Sequence, residues 1–308
     1  MRYAIGMDVG GTKTTVGLIT HDGKTETQVK LATSPQEGFA AAIQRYSRAI
    51  GELLASRGLK AGDLAGIGIG CPGPLNPFTG VINNDYTLPT WGGCNIVKAL
   101  GHELNISVRL ENDADAALVG EAYAGAGRGA GNLVMLTFGT GVGGAVLNDG
   151  IIYRGAGGEH PEIGHVPVDP GGPACYCGLN GCLESLASGT AIGLAGKRAG
   201  FADPEEVFAK AAIRDARALR IIARARRACE VATWTIIHTL LPQRIILGGG
   251  IMEQHYQLFE PAMSAVIPNA KMGPSGGMEI RKAELGNDAG LVGAGMLAHR
   301  RNELAKEL

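Results

Sequence analysis

The stretch Asp8-Val9-Gly10-Gly11-Thr12-Lys13 connects two apolar runs, Tyr3–Val9 and Thr14–Thr20, that are predicted to be β-strands. A loop of glycine and threonine between strands leaves its backbone N–H groups open to phosphate oxygens. A tight turn without a ligand is the alternative. A carboxylate at the end of the first strand suits a Mg²⁺ ion, often bound through water. The candidate nucleotide and Mg²⁺ contacts are therefore Asp8, Gly10, Gly11, Thr12 and Lys13.

The same pattern returns later in the chain, where Gly139-Thr140-Gly141 joins the predicted strands Leu133–Phe138 and Val142–Leu147. This duplication predicts an α/β protein built from two related halves, each with a phosphate loop. Two other phosphate motifs do not fit. Thr12 stands where a P-loop needs lysine, and a strand rather than a helix follows the second loop, which argues against a dinucleotide fingerprint.

A third glycine run, Gly248-Gly249-Gly250, follows the apolar segment Ile245–Leu247. Glycines after a buried strand let a flat group come close to the backbone. We predict that Gly248, Gly249 and Gly250 lie beside the adenosine of ATP. A plain loop leading into a helix is the alternative.

Asn112 and Asp113 follow the predicted strand Val108–Leu110 and precede a predicted helix, Ala114–Tyr123. Ligands of open α/β sheets bind at such strand ends. Transfer of a phosphoryl group to a hydroxyl needs a carboxylate that accepts the proton, and Asp113 is the candidate base. Asn112 offers both a donor and an acceptor to a sugar hydroxyl. A helix N-cap is the alternative for this pair, and Asp113 can serve both purposes.

One histidine and three cysteines crowd into a short polar region of the chain: His165, Cys175, Cys177 and Cys182. A Cys₃His set is typical of a structural zinc site with four protein ligands and no open position. Buried thiols beside a core histidine are the alternative. Glu162 and Glu184 flank the set, so a bound Zn²⁺ would fix two carboxylates where they could accept hydrogen bonds from a sugar.

Composition narrows the class of protein. The chain has 308 residues, a formal net charge of −1 and six cysteines. The length favours two domains, and the balanced charge gives no reason to expect a nucleic-acid or membrane partner. Sparse cysteines favour a cytoplasmic protein without disulfides. Four arginines at helical spacing are predicted to form a solvated helix face: Arg217, Arg220, Arg224 and Arg227.

In motif order the chain resembles the ROK-family sugar kinases. The matching stretches are Asp8–Lys13, Glu111–Ala114, Gly139–Gly144, Glu162–His165, Cys175–Glu184, Leu247–Gly250 and Asp288–Ala294. The resemblance implies an actin-like ATPase (ribonuclease-H-like) fold of two α/β domains around a central cleft. It implies ATP with Mg²⁺, a structural zinc and a hexose substrate, and a homodimer or a dimer of dimers.

The resemblance also assigns roles and limits. Asp113 becomes the catalytic base, while the sugar contacts become Asn112, Glu162, Glu184 and the zinc ligand His165. The expected domains are residues 1–118, with a C-terminal helix 291–308 packing back on them, and residues 119–290, which carry the zinc loop.

The sugar and the phosphoryl donor stay open at this point. His160-Pro161 is similar to the fructokinases of the family, whereas Cys175-Tyr176-Cys177 is similar to its glucokinases and mannokinases. Glucose is the first expectation for the sugar, followed by fructose, mannose or an N-acetylhexosamine. Polyphosphate is an alternative to ATP. A sugar-sensing repressor is disfavoured, because the first strand begins at Tyr3 and we expect no DNA-binding segment before it.

Overall fold

The computed structural model describes residues 3–274 and 276–300. In chain order the strands are β1 (Tyr3–Val9), β2 (Lys13–Ile19), β3 (Thr25–Ala32), β4 (Leu64–Cys71), β5 (Leu75–Asn76), β6 (Val81–Ile82), β7 (Cys94–Asn95), β8 (Val108–Asn112), β9 (Leu133–Phe138), β10 (Val142–Asn148), β11 (Ile151–Ile152), β12 (Arg244–Gly248) and β13 (Glu279–Lys282). The α-helices are α1 (Phe39–Ser56), α2 (Ile96–Leu104), α3 (Asp113–Ala124), α4 (Leu183–Ala187), α5 (Gly189–Arg198), α6 (Pro204–Ala212), α7 (Ala216–Leu240), α8 (Gly250–Ser264) and α9 (Ala289–His299).

Two five-stranded sheets organise these elements, with strand orders β3-β2-β1-β4-β8 and β11-β10-β9-β12-β13. In the first sheet β2 is antiparallel to β1 and β3, while β4 is parallel to β1 and β8. In the second, β12 is parallel to β9 and β13. The two orders follow one plan, and the predicted α/β class is confirmed. A small third sheet has the order β5-β6-β7.

The described residues divide into two units. The first holds 3–131, 145–161 and 284–300, and the second holds 132–144 and 162–283, except for residue 275. Strand β10 crosses the limit between them. The two domains predicted from the sequence, with limits near residues 118 and 290, stay a prediction. Residues 301–308 of the predicted C-terminal helix lie outside the described residues.

Helix α9 packs on one face of the first sheet, against β1, β4 and α3. Its contacts need glycine. A Cβ on Gly68 would overlap the backbone of Ala294, and one on Gly293 would overlap the backbone of Ala116. Because α3 packs directly against α9, the first residues of α3 are held in place. Other buried apolar side chains of the unit, from α1 and α2 among others, form its hydrophobic core.

Helix α7 is the long helix of the second unit. It buries a stripe that includes Ile222, Cys229 and Ile236. The four arginines predicted to be solvated are exposed, as their helical spacing indicates. Among the described residues, no helix is long and apolar enough to cross a membrane.

Candidate functional site

In the first unit, the hairpin between β1 and β2 is tightly braced. The Gly10 N–H donates to the Lys13 carbonyl at 2.9 Å, and the Thr33 hydroxyl donates to the Gly10 carbonyl at 2.6 Å. A Cβ on Gly11 would come within 2.7 Å of the Thr87 side chain, so only glycine fits there without a shift. Thr12 and Lys13 are exposed at the tip. The loop is a formed hairpin with free surface for an anion.

Asp8, at the end of β1, lies beside the start of α9. A Cβ on Gly290 would be 2.9 Å from its Oδ1 atom. Burial, together with the nearby charges of Asp113 and Asp288, raises the pKa of Asp8 to about 6. Like-charged carboxylates that face each other attract a cation. Asp288 is not among the predicted site residues, although it begins the family-like run Asp288–Ala294.

Asn112 and Asp113 lie where β8 passes into α3. The Asn112 Oδ1 accepts from the N–H groups of Ala114 at 2.9 Å and Asp115 at 3.4 Å, so Asn112 is the N-cap. Asp113 is the first helical residue, and its Oδ1 accepts from the Ala114 N–H. Burial raises the pKa of Asp113, while that backbone hydrogen bond and the charge of His160 lower it. The net effect raises the pKa of Asp113 above its ordinary value.

Near Asp113 lies a group of buried charged residues that the sequence did not predict. Glu111 and Asp115 are buried, and the Arg154 guanidinium forms an ion pair with Glu111. Arg154 is far from Glu111 in the chain, and its immediate neighbours carry no acidic residue that would have pointed to this pairing.

In the second unit, the loop Gly139-Thr140-Gly141 is held by the start of α5. The Gly189 N–H donates to the Gly139 carbonyl at 2.8 Å, and the Thr190 hydroxyl donates to the Thr140 carbonyl at 2.8 Å. A Cβ on Gly139 would meet nothing within 4 Å, so this side of the loop faces open space.

The glycines Gly248, Gly249 and Gly250 connect β12 to α8. Gly249 is the N-cap, with φ of 85°, and a Cβ there would be within 2.8 Å of the Phe138 backbone. Phe138 ends β9, directly before the second loop. The N-termini of α5 and α8 therefore both begin close to this loop, and helix N-termini favour negative charge. The three glycines do lead into a helix, and their predicted contact with a nucleotide stays a prediction.

Glu184 lies against the second loop. Its Oε2 accepts a hydrogen bond from the Val142 N–H at 2.8 Å. A Cβ on Gly141 would overlap that oxygen and come within 3.3 Å of the Glu184 Cδ. One oxygen of the carboxylate is therefore held by the loop.

His165, Cys175, Cys177 and Cys182 come together as predicted, and their ligand atoms all lie within 4.8 Å of one another. The Cys175 Sγ is 3.4 Å from the His165 Nδ1, and the Cys177 and Cys182 sulfurs are 3.5 Å apart. Tetrahedral zinc with Zn–S bonds of about 2.3 Å puts its ligand atoms roughly 3.5–3.8 Å apart. The donor set and spacing fit Zn²⁺, and within the described ranges this is the sole set of such residues able to share a metal ion.

The other ring nitrogen of His165 lies 3.1 Å from the Tyr176 hydroxyl, which also interacts with Glu184. Such a partner fixes the orientation of a metal-bound imidazole. Glu162 precedes the turn Ile163–His165, and its carbonyl accepts from the His165 N–H at 2.9 Å. The predicted sugar contacts of His165, Glu162, Glu184 and Asn112 stay predictions.

Comparison with known proteins agrees with this arrangement. The model of the ROK family matches residues 4–301. The chain is 36% identical to the glucokinase of Thermotoga maritima, over 96% of this chain and 97% of that protein. It is 33% identical to the N-acetylmannosamine kinase of Escherichia coli O1:K1, over 96% and 97%.

Two solved structures are similar over almost the whole chain. The ROK hexokinase of Thermus thermophilus has a TM-score of 0.86 at 31% identity, covering 97% of this chain and 98% of that one. A ROK glucokinase of Streptomyces griseus, solved with glucose and AMPPNP, has a TM-score of 0.73 at 26% identity, covering 97% and 99%. The predicted fold class is thereby confirmed.

Proposed function

The chain belongs to the ROK family, and we propose that it is a sugar kinase that transfers the γ-phosphate of ATP to a hydroxyl of a hexose, with glucose as the first substrate. The observation that carries the proposal is the partly buried Asp113 at the start of α3, in the same unit as a glycine hairpin and Asp8. Relatives that are glucokinases over their full length support the same reaction.

Asp113 acts as the general base in this proposal. Its carboxylate accepts the proton of the attacking hydroxyl, and Asn112 helps to orient the sugar. Burial raises the pKa of Asp113 above its ordinary value, which makes its carboxylate a stronger base than an exposed aspartate.

Each glycine loop is a candidate contact for the nucleotide. Groups of Gly10–Lys13 and Gly139–Gly141 contact phosphate oxygens, apart from the Gly10 and Gly139 N–H groups, which close the two hairpins, and Gly248–Gly250 lies beside the adenosine. Asp8, with the carboxylates of Asp113 and Asp288 near it, would hold Mg²⁺. A bound Mg²⁺ supplies charge neutralisation at the phosphates.

Zinc has a positional role in this proposal, because all four of its ligands come from the protein and it has no open position for water. When bound, it fixes the loop that carries Tyr176, and Tyr176 in turn contacts Glu184. Glu162 and Glu184 then accept hydrogen bonds from sugar hydroxyls.

A second substrate class rests on a separate observation. The 33% identity to an N-acetylmannosamine kinase covers 97% of that protein, so an N-acetylhexosamine is the leading alternative to glucose. Fructose follows, since His160-Pro161 is similar to the fructokinases of the family, and so does mannose, since Cys175-Tyr176-Cys177 is similar to its glucokinases and mannokinases.

A coupled assay of ADP release across hexoses and N-acetylhexosamines tests the proposal and names the sugar. Glucose should give the highest kcat/KM, with ATP hydrolysis far slower when no sugar is present. If no sugar raises ADP release above that background, the proposed function is wrong. Polyphosphate in place of ATP releases no ADP, so that donor is tested by measuring the sugar phosphate that forms.

We also propose a homodimer or a dimer of dimers. Helix α7 exposes Leu219 and Trp234, and large apolar side chains on one helix favour association. Light scattering should give a mass of at least twice 31.8 kDa, and a monomer at micromolar concentration would contradict this.

A further inference from the structure

Three acidic residues stand within the five positions 111–115: Glu111, Asp113 and Asp115. The Glu111 side chain is 4% exposed, and that of its partner Arg154 is 17% exposed. Asp115 is 1% exposed. Buried carboxylates are costly unless a positive charge or hydrogen bonds compensate them. The arrangement around Arg154 therefore has consequences for Asp113.

Glu111 joins Arg154 to the backbone of the predicted catalytic segment. Its Oε2 pairs with the Arg154 Nη2, and its Oε1 accepts from the Asn112 N–H at 3.1 Å. Asn112 in turn caps α3, whose first residue is Asp113. A single buried carboxylate thus connects a guanidinium to the residue that precedes the predicted base.

Asp115 is a second buried carboxyl that lies near both Glu111 and Arg154. Neither carboxylate oxygen of Asp115 accepts a hydrogen bond. Burial raises the pKa of Asp115 well above its usual range, Glu111 and Asp113 add to this, and Arg154 lowers it. The titratable and charged groups that face Glu111 are Arg154, Arg109 and Asp115, and those that face Asp113 are Asp8, Asp115, Cys71 and His160.

Arg154 is itself held in place within the first unit. Its Cζ lies 5.8 Å from the centroid of the Phe78 ring. The segment that follows Arg154 contacts the turn between β5 and β6, which carries Phe78. The Asn76 amide donates to the Gly157 carbonyl at 3.4 Å, and a Cβ on Gly158 would be 3.0 Å from the Phe78 ring. The guanidinium therefore meets Glu111 from a fixed direction.

We propose that Arg154 is a positioning residue for Asp113: by holding Glu111, and through it the backbone of Asn112, it keeps the Asp113 carboxylate directed at the acceptor hydroxyl and balances the buried charge behind it. This inference rests on the proposed function. In this proposal Arg154 contacts neither ATP nor the sugar. Its substitution should therefore change kcat and the pH profile rather than the KM for the sugar.

Arg154→Met, Arg154→Lys, Glu111→Gln and the Arg154→Met/Glu111→Gln double variant test the proposal. Arg154→Met should lower kcat by at least about tenfold with sugar KM changed less than about threefold, since small misplacements of a catalytic group are costly. It also leaves Glu111 without its main counter-charge, so the acidic limb of kcat/KM should move to higher pH. Arg57→Met, which breaks an exposed pair with Glu26, is the matched control and should change neither quantity.

The double variant separates positioning from plain stability. Removing both charges should return the acidic limb of kcat/KM close to its wild-type pH. Arg154→Lys should also restore the acidic limb but recover only part of kcat, because lysine keeps the charge and lacks the planar guanidinium. If Arg154→Met keeps wild-type kcat and pH profile, the role is overturned. It is equally overturned if kcat falls only in proportion to lost folded protein, with no pH shift and no rescue. A wild-type protein that phosphorylates no sugar would instead reject the proposed function itself.

Discussion

Gly141→Ala gives a direct perturbation of the second loop. A Cβ at this position would overlap the Glu184 Oε2 and lie 3.3 Å from its Cδ, whereas a Cβ on Gly139 in the same loop would meet nothing within 4 Å. Glu184 ends in a flexible side chain, so it can move away instead of forcing the backbone to shift. The substitution should therefore displace this carboxylate by about 1 Å, judged from ordinary van der Waals distances.

The displacement breaks the 2.8 Å hydrogen bond from the Val142 N–H to Glu184. A hydrogen bond to a charged group contributes about 1.5–3 kcal/mol. Part of this is offset, because replacing glycine by alanine at a compatible backbone position stabilises by about 0.4–1 kcal/mol through the unfolded state. The net loss of about 1–2 kcal/mol predicts a fall in Tm of only a few degrees.

The effect on sugar binding should be larger than the effect on folding. If Glu184 contacts the sugar, losing that contact at a similar free energy raises sugar KM by about tenfold or more. Steady-state assays at saturating ATP measure this, with Gly139→Ala as the matched control. Gly139→Ala should keep sugar KM and Tm and raise only the KM for ATP. Unchanged sugar KM in a folded Gly141→Ala protein would refute the placement of Glu184.

Three further predictions concern the carboxylate and metal sites. Asp8→Asn should abolish most turnover yet raise Tm at pH 7.5. A folded-state pKa of about 6 means that ionised Asp8 destabilises the folded protein above pH 6, and that this penalty is gone below about pH 4. A lowered Tm would contradict this. For the wild type, kcat/KM for ATP with Mg²⁺ should fall as pH drops through about 6, when Asp8 takes up a proton, and a flat profile from pH 7.5 to 5.5 would argue against a role for Asp8 in holding Mg²⁺. Elemental analysis should find no zinc in Cys177→Ala, and its Tm should be several degrees lower than that of the wild type. Cys94→Ala, outside the cluster, should keep both the zinc and the Tm. Full activity of an enzyme without bound zinc would remove zinc from the proposal.

The sequence predicted the elements whose signals are local. The strands around Gly10 and Gly139 were placed within a residue or two, because apolar runs bounded by glycine turns are distinctive. The Cys₃His set came from the spacing of ligand-type residues alone, and the folded chain brings all four together.

Contacts between distant parts of the chain escaped prediction. Arg154 and Glu111 are 43 positions apart, and Asp288 comes near Asp8 only because α9 packs on β1 through glycines such as Gly6. Local patterns contain no information about such approaches, since they depend on which helix lies on which sheet face. The Arg57–Glu26 pair is another long-range contact of this kind.

The central claim is that Asp113 is the base for phosphoryl transfer from ATP to a sugar hydroxyl. Asp113→Asn keeps the size and the capping geometry of the helix start but cannot accept the proton. Calorimetry should give a sugar Kd within about threefold of wild type, while kcat falls by at least about 10²–10⁴-fold. Turnover within tenfold of wild type, with sugar bound equally well, would contradict the claim.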